Sequence, residues 1–105
     1  MAELVVHTKA EVLELLRQNG DRIRNFGVSG LGLFGSFVRD QSINPESDVD
    51  FLLDFTQGQK TYRNLMDLGY FLEDLLGRKV ELVTRESLSP YIGPHILQTV
   101  EHVSF

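Results

Sequence analysis

The segment LFGSFVRDQSINPESDVDFLLDF, residues 33–55, contains the feature that most restricts how this chain can fold. Its last seven residues, Val49–Phe55, alternate apolar and other side chains as a strand with one buried face does. Because successive side chains of a strand point to opposite faces, Asp48 and Asp50 project together from the face opposite the apolar residues. Two like charges this close repel each other unless a cation neutralises them, and Mg²⁺ prefers carboxylate oxygens. The pattern therefore predicts a divalent-metal site on a core strand.

A Gly-Ser pair, Gly35-Ser36, follows the apolar run Leu31–Phe34 and supplies a complementary half of this site. A glycine lets a phosphate approach the backbone, and a serine that opens a short helical turn aims amide and hydroxyl donors at an anion. Taken singly, a Gly-Ser pair at a strand end is more often a turn, and an Asp-x-Asp pair is more often solvated. Together they predict a nucleoside triphosphate, carrying Mg²⁺, that bridges the two halves.

The remaining periodicity predicts a single domain over residues 1–105, of α/β (α+β) class, with a small mixed β-sheet and helices packed on it. Thr8 and Glu11 have capping-box spacing at the start of a first helix, and Gly77 suits the end of a later one. The predicted elements are a helix from Thr8 to Asn19-Gly20, a helical turn at Asp21–Phe26, strands at Leu31–Phe34, Val49–Phe55 and Lys79–Val83, a helix at Thr61–Leu76, and a tail with a short helix and an extended segment.

Composition narrows the function classes. The chain has 105 residues and no cysteine, so a bound metal must be held by oxygen or by histidine. A formal charge of −5 with scattered basic residues argues against direct nucleic-acid binding. No apolar run is long enough to span a membrane, and the start, MAELVVHTKAEV, lacks the pattern of a signal peptide. We therefore expect a cytoplasmic protein with no membrane contact.

The order of the motifs is similar to a known signature. Gly35-Ser36, a polar loop, then Ser47-Asp48-Val49-Asp50 and an apolar strand resembles the polymerase-beta-like nucleotidyltransferase superfamily. With the segments GSFVR, SDVDFLLDF and GRKVELVT, the chain resembles the minimal nucleotidyltransferase (MNT) family over nearly its whole length. This resemblance implies a palm-like nucleotidyltransferase core.

The resemblance also implies a third carboxylate on a later strand. Its match is Glu81, where the family more often has aspartate, and the alternative is an exposed glutamate between core residues. The arginine of the GSFVR motif, Arg39, precedes Asp40 where relatives often have glycine, and it could equally pair with Asp48 or Asp54. The implied site comprises catalytic and metal-binding Asp48, Asp50 and Glu81, and nucleotide-binding Gly35, Ser36, Arg39 and Ser47.

For function, the resemblance implies a Mg²⁺-dependent nucleotidyltransferase, with two ions, that transfers AMP from ATP to a tyrosine hydroxyl. MNT proteins commonly act with a HEPN-domain toxin encoded nearby, so this chain is expected to be its antitoxin. One alternative is a noncatalytic module that neutralises the partner by binding alone. Another is nucleotidyl transfer to a small molecule, against which the absence of a further substrate domain argues.

Overall fold

A computed structural model describes residues 5–39 and 43–105 of the chain. The described elements are, in chain order, α1 Lys9–Gln18, α2 Gly20–Asn25, β1 Val28–Phe34, α3 Ser36–Arg39, β2 Val49–Phe55, α4 Tyr62–Leu76, β3 Val80–Thr84, a 3₁₀ turn Arg85–Ser87, α5 Gly93–Thr99 and β4 Glu101–His102. The predicted mixed α/β fold is therefore confirmed. Of the predicted polar loop, residues 40–42 lie outside the described residues.

The strands form one sheet in the order β3-β2-β1-β4. β2 pairs antiparallel with β1 and parallel with β3, and α4 forms the crossover between β2 and β3. β4 pairs antiparallel with the other edge of β1, where Gly32 is opposite His102. β2 is thus an interior strand with a neighbour on each side.

One face of the sheet carries the hydrophobic core. Val49, Phe51 and Leu53 of β2 are buried and pack with apolar residues of the helices, as the alternation of this strand predicts. The helical partners in this core are Val12, Leu16, Ile23, Phe37, Leu68, Leu72 and Leu76. Burial of this face fixes the register of β2, because a shift by one residue would turn the aspartates into the core.

The helix ends follow the local sequence. Thr8 and Glu11 form the predicted capping box at the start of α1. Thr61 accepts a hydrogen bond from the Asn64 amide at the start of α4, and Gly77 ends that helix with φ 70°. No helix within the described ranges is long and apolar enough to cross a membrane.

Candidate active site

Asp50 lies on the face of β2 opposite the core, between two neighbouring strands. Its pairing partners are Phe34, the last residue of β1, and Glu81 on β3. Asp48 immediately precedes β2 and is partly exposed, as Asp50 is. The pairing therefore brings Glu81, the carboxylate that the resemblance implies, beside Asp48 and Asp50. These residues lie at the end of the sheet where β1 finishes.

Gly35 connects β1 to α3 directly against Asp50. Its φ of 77° lies in the left-handed region, which glycine adopts without the steric cost that a side chain imposes. A Cβ atom at this position would overlap Oδ2 of Asp50. Ser36 begins α3 at the next residue. The sequence GSF thus forms a turn that leaves Asp50 room and starts a helical turn beside it.

The charge of Asp50 is unfavourable in this environment. The pKa of the Asp50 carboxyl is raised to about 6, mainly because partial burial penalises the ionised form. The charge of Glu81, a hydrogen bond with its side chain and the charge of Asp48 contribute to this rise, and the charge of Arg39 opposes it. At neutral pH the three carboxylates therefore concentrate negative charge on one side of the sheet.

This donor set fits a divalent cation. Mg²⁺ binds through carboxylate oxygens and relieves the repulsion that raises the pKa of Asp50. Within residues 5–39 and 43–105, no three acidic or histidine side chains already converge as a complete metal-binding cluster. Asp50 and Glu81 contact each other, while Asp48 acts on Asp50 through its charge. Mg²⁺ commonly keeps several water ligands, so one or two contacting carboxylates suffice to begin a site.

The turn Asn44–Ser47, which precedes Asp48, is held by hydrogen bonds between its first and last residues. The hydroxyl of Ser47 accepts a hydrogen bond of 3.0 Å from the Asn44 amide, and the Ser47 amide donates to the Asn44 carbonyl at 3.0 Å. The carbonyls of both residues accept hydrogen bonds from Arg78. The sequence analysis did not single out Arg78, because nothing near it in the chain indicates that an arginine before β3 is buried.

Arg39 and Asp54 do not form the pair that the sequence left open. Asp54 instead accepts two hydrogen bonds of 3.0 Å from the guanidinium of Arg85. This ion pair lies at the opposite end of β2 from Asp50 and Asp48. Arg39 is exposed at the end of α3, close enough to Asp50 for its charge to act on that carboxyl.

Residues 10–102 match the nucleotidyltransferase domain family. The protein adenylyltransferase MntA of Thermococcus cleftensis is 36% identical over 97 residues, which are 91% of this chain and 96% of that protein. A Methanocaldococcus jannaschii protein assigned as a protein adenylyltransferase is 30% identical over 99 residues, with 91% and 98% of the two chains covered.

Solved structures share the fold. A chain assigned as a minimal nucleotidyltransferase superposes with a TM-score of 0.69 at 29% identity, over 85% of this chain and 93% of that one. A toxin–antitoxin crystal structure with AMP-PNP gives a TM-score of 0.62 at 20% identity, over 90% and 70% of the two chains. At that identity the likeness concerns the fold alone. These similarities confirm the minimal-nucleotidyltransferase resemblance seen in the sequence.

Replacing Gly35 by alanine should destabilise the protein by about 2–4 kcal/mol, because the left-handed backbone and the overlap with Asp50 both oppose a side chain. Urea denaturation of the variant against the parent protein measures this difference.

Gly58→Ala is the matched control for that substitution. Gly58 has φ 82°, but no atom lies within 4 Å of the position that a Cβ would occupy, so alanine there should cost only about 1–2 kcal/mol. Equal costs at the two positions would mean that Asp50 swings away freely and that Gly35 is not fitted to it.

Asp50→Asn should stabilise the metal-free protein at neutral pH. The pKa of Asp50 is raised to about 6 in the folded state, so the parent protein loses stability as pH rises from about 4 through about 6. The variant has no such loss, and its advantage should be about 1 kcal/mol near neutral pH, allowing for solvent screening, and should vanish near pH 4. Urea denaturation in chelator at both pH values measures it.

Asp74→Asn, on an exposed part of α4, serves as the control and should stay within about 0.5 kcal/mol of the parent protein at both pH values. A stability advantage of Asp50→Asn that does not depend on pH would contradict the assignment of the effect to the Asp50 charge.

Proposed function

This chain belongs to the nucleotidyltransferase domain family and is a nucleotidyltransferase, and we propose that it transfers AMP from ATP to a hydroxyl of a partner protein. The observation that carries the proposal is the position of Asp50, which lies against Gly35 on one side and beside Glu81 on the other. This arrangement joins a turn suited to phosphate with a set of carboxylates suited to Mg²⁺.

In the proposed site, Asp48, Asp50 and Glu81 hold Mg²⁺, two ions in all. When bound, the metal neutralises the triphosphate charge and lowers the pKa of the acceptor hydroxyl. The contact of Asp50 with Glu81 supports this assignment, because two carboxylates that share a small volume are stabilised when a cation lies between them. Glutamate in place of the more frequent aspartate reaches one methylene further from β3.

The phosphates are assigned to the turn after β1. Gly35 offers backbone without a side chain, and Ser36 offers an amide and a hydroxyl, which together hold the β- and γ-phosphates. We assign Arg39, which is exposed at the end of α3, to the same phosphates, because a guanidinium binds phosphate oxygens through charge-assisted hydrogen bonds. We also assign Ser47, which directly precedes Asp48 and whose hydroxyl accepts a hydrogen bond from the Asn44 amide, to the nucleotide side of the site.

The reaction requires little covalent chemistry from the protein. The acceptor oxygen forms a bond to the α-phosphorus of ATP, the bond from that phosphorus to the oxygen that bridges to the β-phosphate breaks, and pyrophosphate leaves, while the hydroxyl proton passes to water. The side chains hold the two reactants in line and stabilise the developing charge, which accounts for most catalysis of this kind.

We propose a HEPN-domain toxin, encoded nearby, as the acceptor protein, modified on a tyrosine, with this chain as the cytoplasmic antitoxin. A relative at 36% identity is a protein adenylyltransferase, which supports a protein acceptor. Fold neighbours include toxin–antitoxin structures, one with AMP-PNP, which is consistent with this partner and with ATP. The net charge of −5 is compatible with docking a basic, RNA-cleaving protein.

ATP should bind only together with a divalent ion, because Asp48 and Asp50 otherwise repel the triphosphate. Calorimetric titration with Mg²⁺ and with chelator measures this dependence, and equal affinity under both conditions would contradict a site in which metal joins the carboxylates to ATP.

The double variant Asp48→Asn, Asp50→Asn should lose transfer and still fold, since the carboxylates repel one another in the metal-free protein. Unfolding of that variant would make the pair structural.

Incubation with the proposed partner, ATP and Mg²⁺ should add AMP to a partner tyrosine, seen by intact mass and peptide mapping. Glu81→Gln should reduce the addition at least about tenfold, because one charge that holds metal is removed. The control Glu86→Gln removes an exposed carboxylate paired with Lys60 and should leave the rate unchanged.

Other outcomes of the same experiment select another function. A tight complex with no change in mass identifies the noncatalytic binding module. Nucleotidyl transfer to a small hydroxylated molecule, with the partner unmodified, would make this chain a small-molecule nucleotidyltransferase. Modification that is as fast with Glu81→Gln shows that the third carboxylate is not Glu81.

A further inference from the structure

Arg78, between α4 and β3, is buried, with 7% of its surface exposed. Arginine is rarely buried to this degree without a partner for its charge. Its Nε donates a hydrogen bond of 2.6 Å to the Val6 carbonyl, and its Nη1 donates to the carbonyls of Asn44 at 2.7 Å and Ser47 at 3.0 Å. The guanidinium also lies over the ring of Phe37, 5.1 Å from its centroid.

These contacts join three segments that are distant in the chain. Val6 precedes α1, Asn44 and Ser47 form the turn that leads into Asp48, and Phe37 belongs to the helix that starts at Ser36. One cation therefore contacts the segments that carry both halves of the proposed site. The turn before Asp48 and the helix after Gly35 meet at its guanidinium.

The charge of Arg78 is not used for an ion pair in the described part of the chain, where all its polar contacts are backbone carbonyls. Burying a cation is costly, and an apolar residue would often stabilise a core at least as well. What a guanidinium provides instead is a rigid planar fork, whose donors fix several acceptors in one geometry. That property suits the positioning of a loop better than the filling of a core.

We propose that Arg78 is a positioning residue of the nucleotidyl-transfer site, which fixes the turn Asn44–Ser47, and with it Asp48, relative to the phosphate turn at Gly35-Ser36. The proposal rests on the proposed function, since it assigns Arg78 a role toward the same metal and triphosphate. Arg78 touches neither of them. It acts through the backbone on either side of the residues that do.

Arg78→Lys and Arg78→Met test this role. Lysine keeps the charge but lacks the fork, so it cannot bond both the Val6 carbonyl and the turn with the same geometry. Methionine keeps much of the length and removes the donors. The matched controls are Arg85→Lys and Arg85→Met, which change an exposed arginine paired with Asp54, far from Asp50 along β2.

The first readout needs no catalysis. Calorimetry measures Mn²⁺ binding in the presence of ATP, and amide hydrogen exchange of the metal-free protein follows a peptide covering residues 43–50. Both Arg78 variants should bind Mn²⁺ about tenfold or more weakly, as outer-shell substitutions at metal sites do. Exchange should accelerate in this peptide while peptides of β1 and α4 keep the parent rate. The Arg85 variants should match the parent protein in both measurements.

The second readout separates positioning from stability. Partial unfolding removes active molecules and lowers kcat, whereas a displaced Asp48 raises the KM for Mg²⁺. Assayed well below the Tm of each variant, Arg78→Lys should raise that KM about tenfold and keep kcat at saturating Mg²⁺ within about threefold.

The remaining outcomes separate a structural role of Arg78 from failure of the proposed function. Arg78 variants that fold with a lower Tm but keep the parent's Mn²⁺ affinity, KM and local exchange would make Arg78 a structural residue only. If Arg78→Met does not fold, Arg78→Lys decides, and failure of both to fold likewise makes Arg78 a structural residue. If the parent protein itself shows no Mn²⁺-dependent ATP binding, the proposed function fails, and the role of Arg78 with it.

Discussion

The carboxylate of Asp50 is confined by its neighbours on both sides of β2, and the geometry of the site depends on this confinement. On the side of β1, Gly35 must lack a side chain because Asp50 occupies the space that a Cβ would take. On the side of β3, parallel pairing brings Glu81 opposite Asp50 and places a second carboxylate against it. The turn after β1 and the start of β3 are thus both fitted to one acidic side chain.

This confinement has an energetic cost, which the other face of the same strand offsets. Partial burial and like charges disfavour ionised Asp50. Val49, Phe51 and Leu53 lie on the face of β2 opposite Asp50 and are buried among the helices, where each contributes on the order of 1.5–3 kcal/mol. A chain of 105 residues has a limited core, and in this chain one interior strand carries both buried apolar residues of the core and an acidic residue of the site. Charge repulsion that would weaken an isolated surface strand is tolerated here.

The sequence predicted the elements whose signals are local. The alternation of Val49–Phe55 gave the bounds of β2, and the positions of Thr61 and Gly77 gave those of α4. β1 was predicted from Leu31 but begins at Val28, because Ser29 and Gly30 interrupt the apolar pattern while pairing with β2 sustains the strand. Such pairing depends on residues distant in sequence, which local propensity does not register.

The same distinction applies to the site. Gly35-Ser36 and the Asp48-Asp50 pair are readable in the sequence because their spacing reflects chemistry at one strand end. The burial of Arg78 is not, since its acceptors lie in segments more than thirty residues away in the chain. The pairing of Asp54 with Arg85 likewise arises only when β2 and the residues after β3 are brought together. A local motif thus identifies candidate ligands, and tertiary contacts determine how they are held.

An NMR titration of the Asp50 side-chain carboxyl, in the metal-free protein and again with Mg²⁺ and a nonhydrolysable ATP analogue, tests the confinement of Asp50 and the metal site most directly. Confinement between Gly35 and Glu81 predicts a pKa of about 6 without metal and a markedly lower value with it, because a bound cation favours the ionised form. A pKa near the ordinary value of about 4 that Mg²⁺ and the analogue leave unchanged would contradict both the confinement and the metal site.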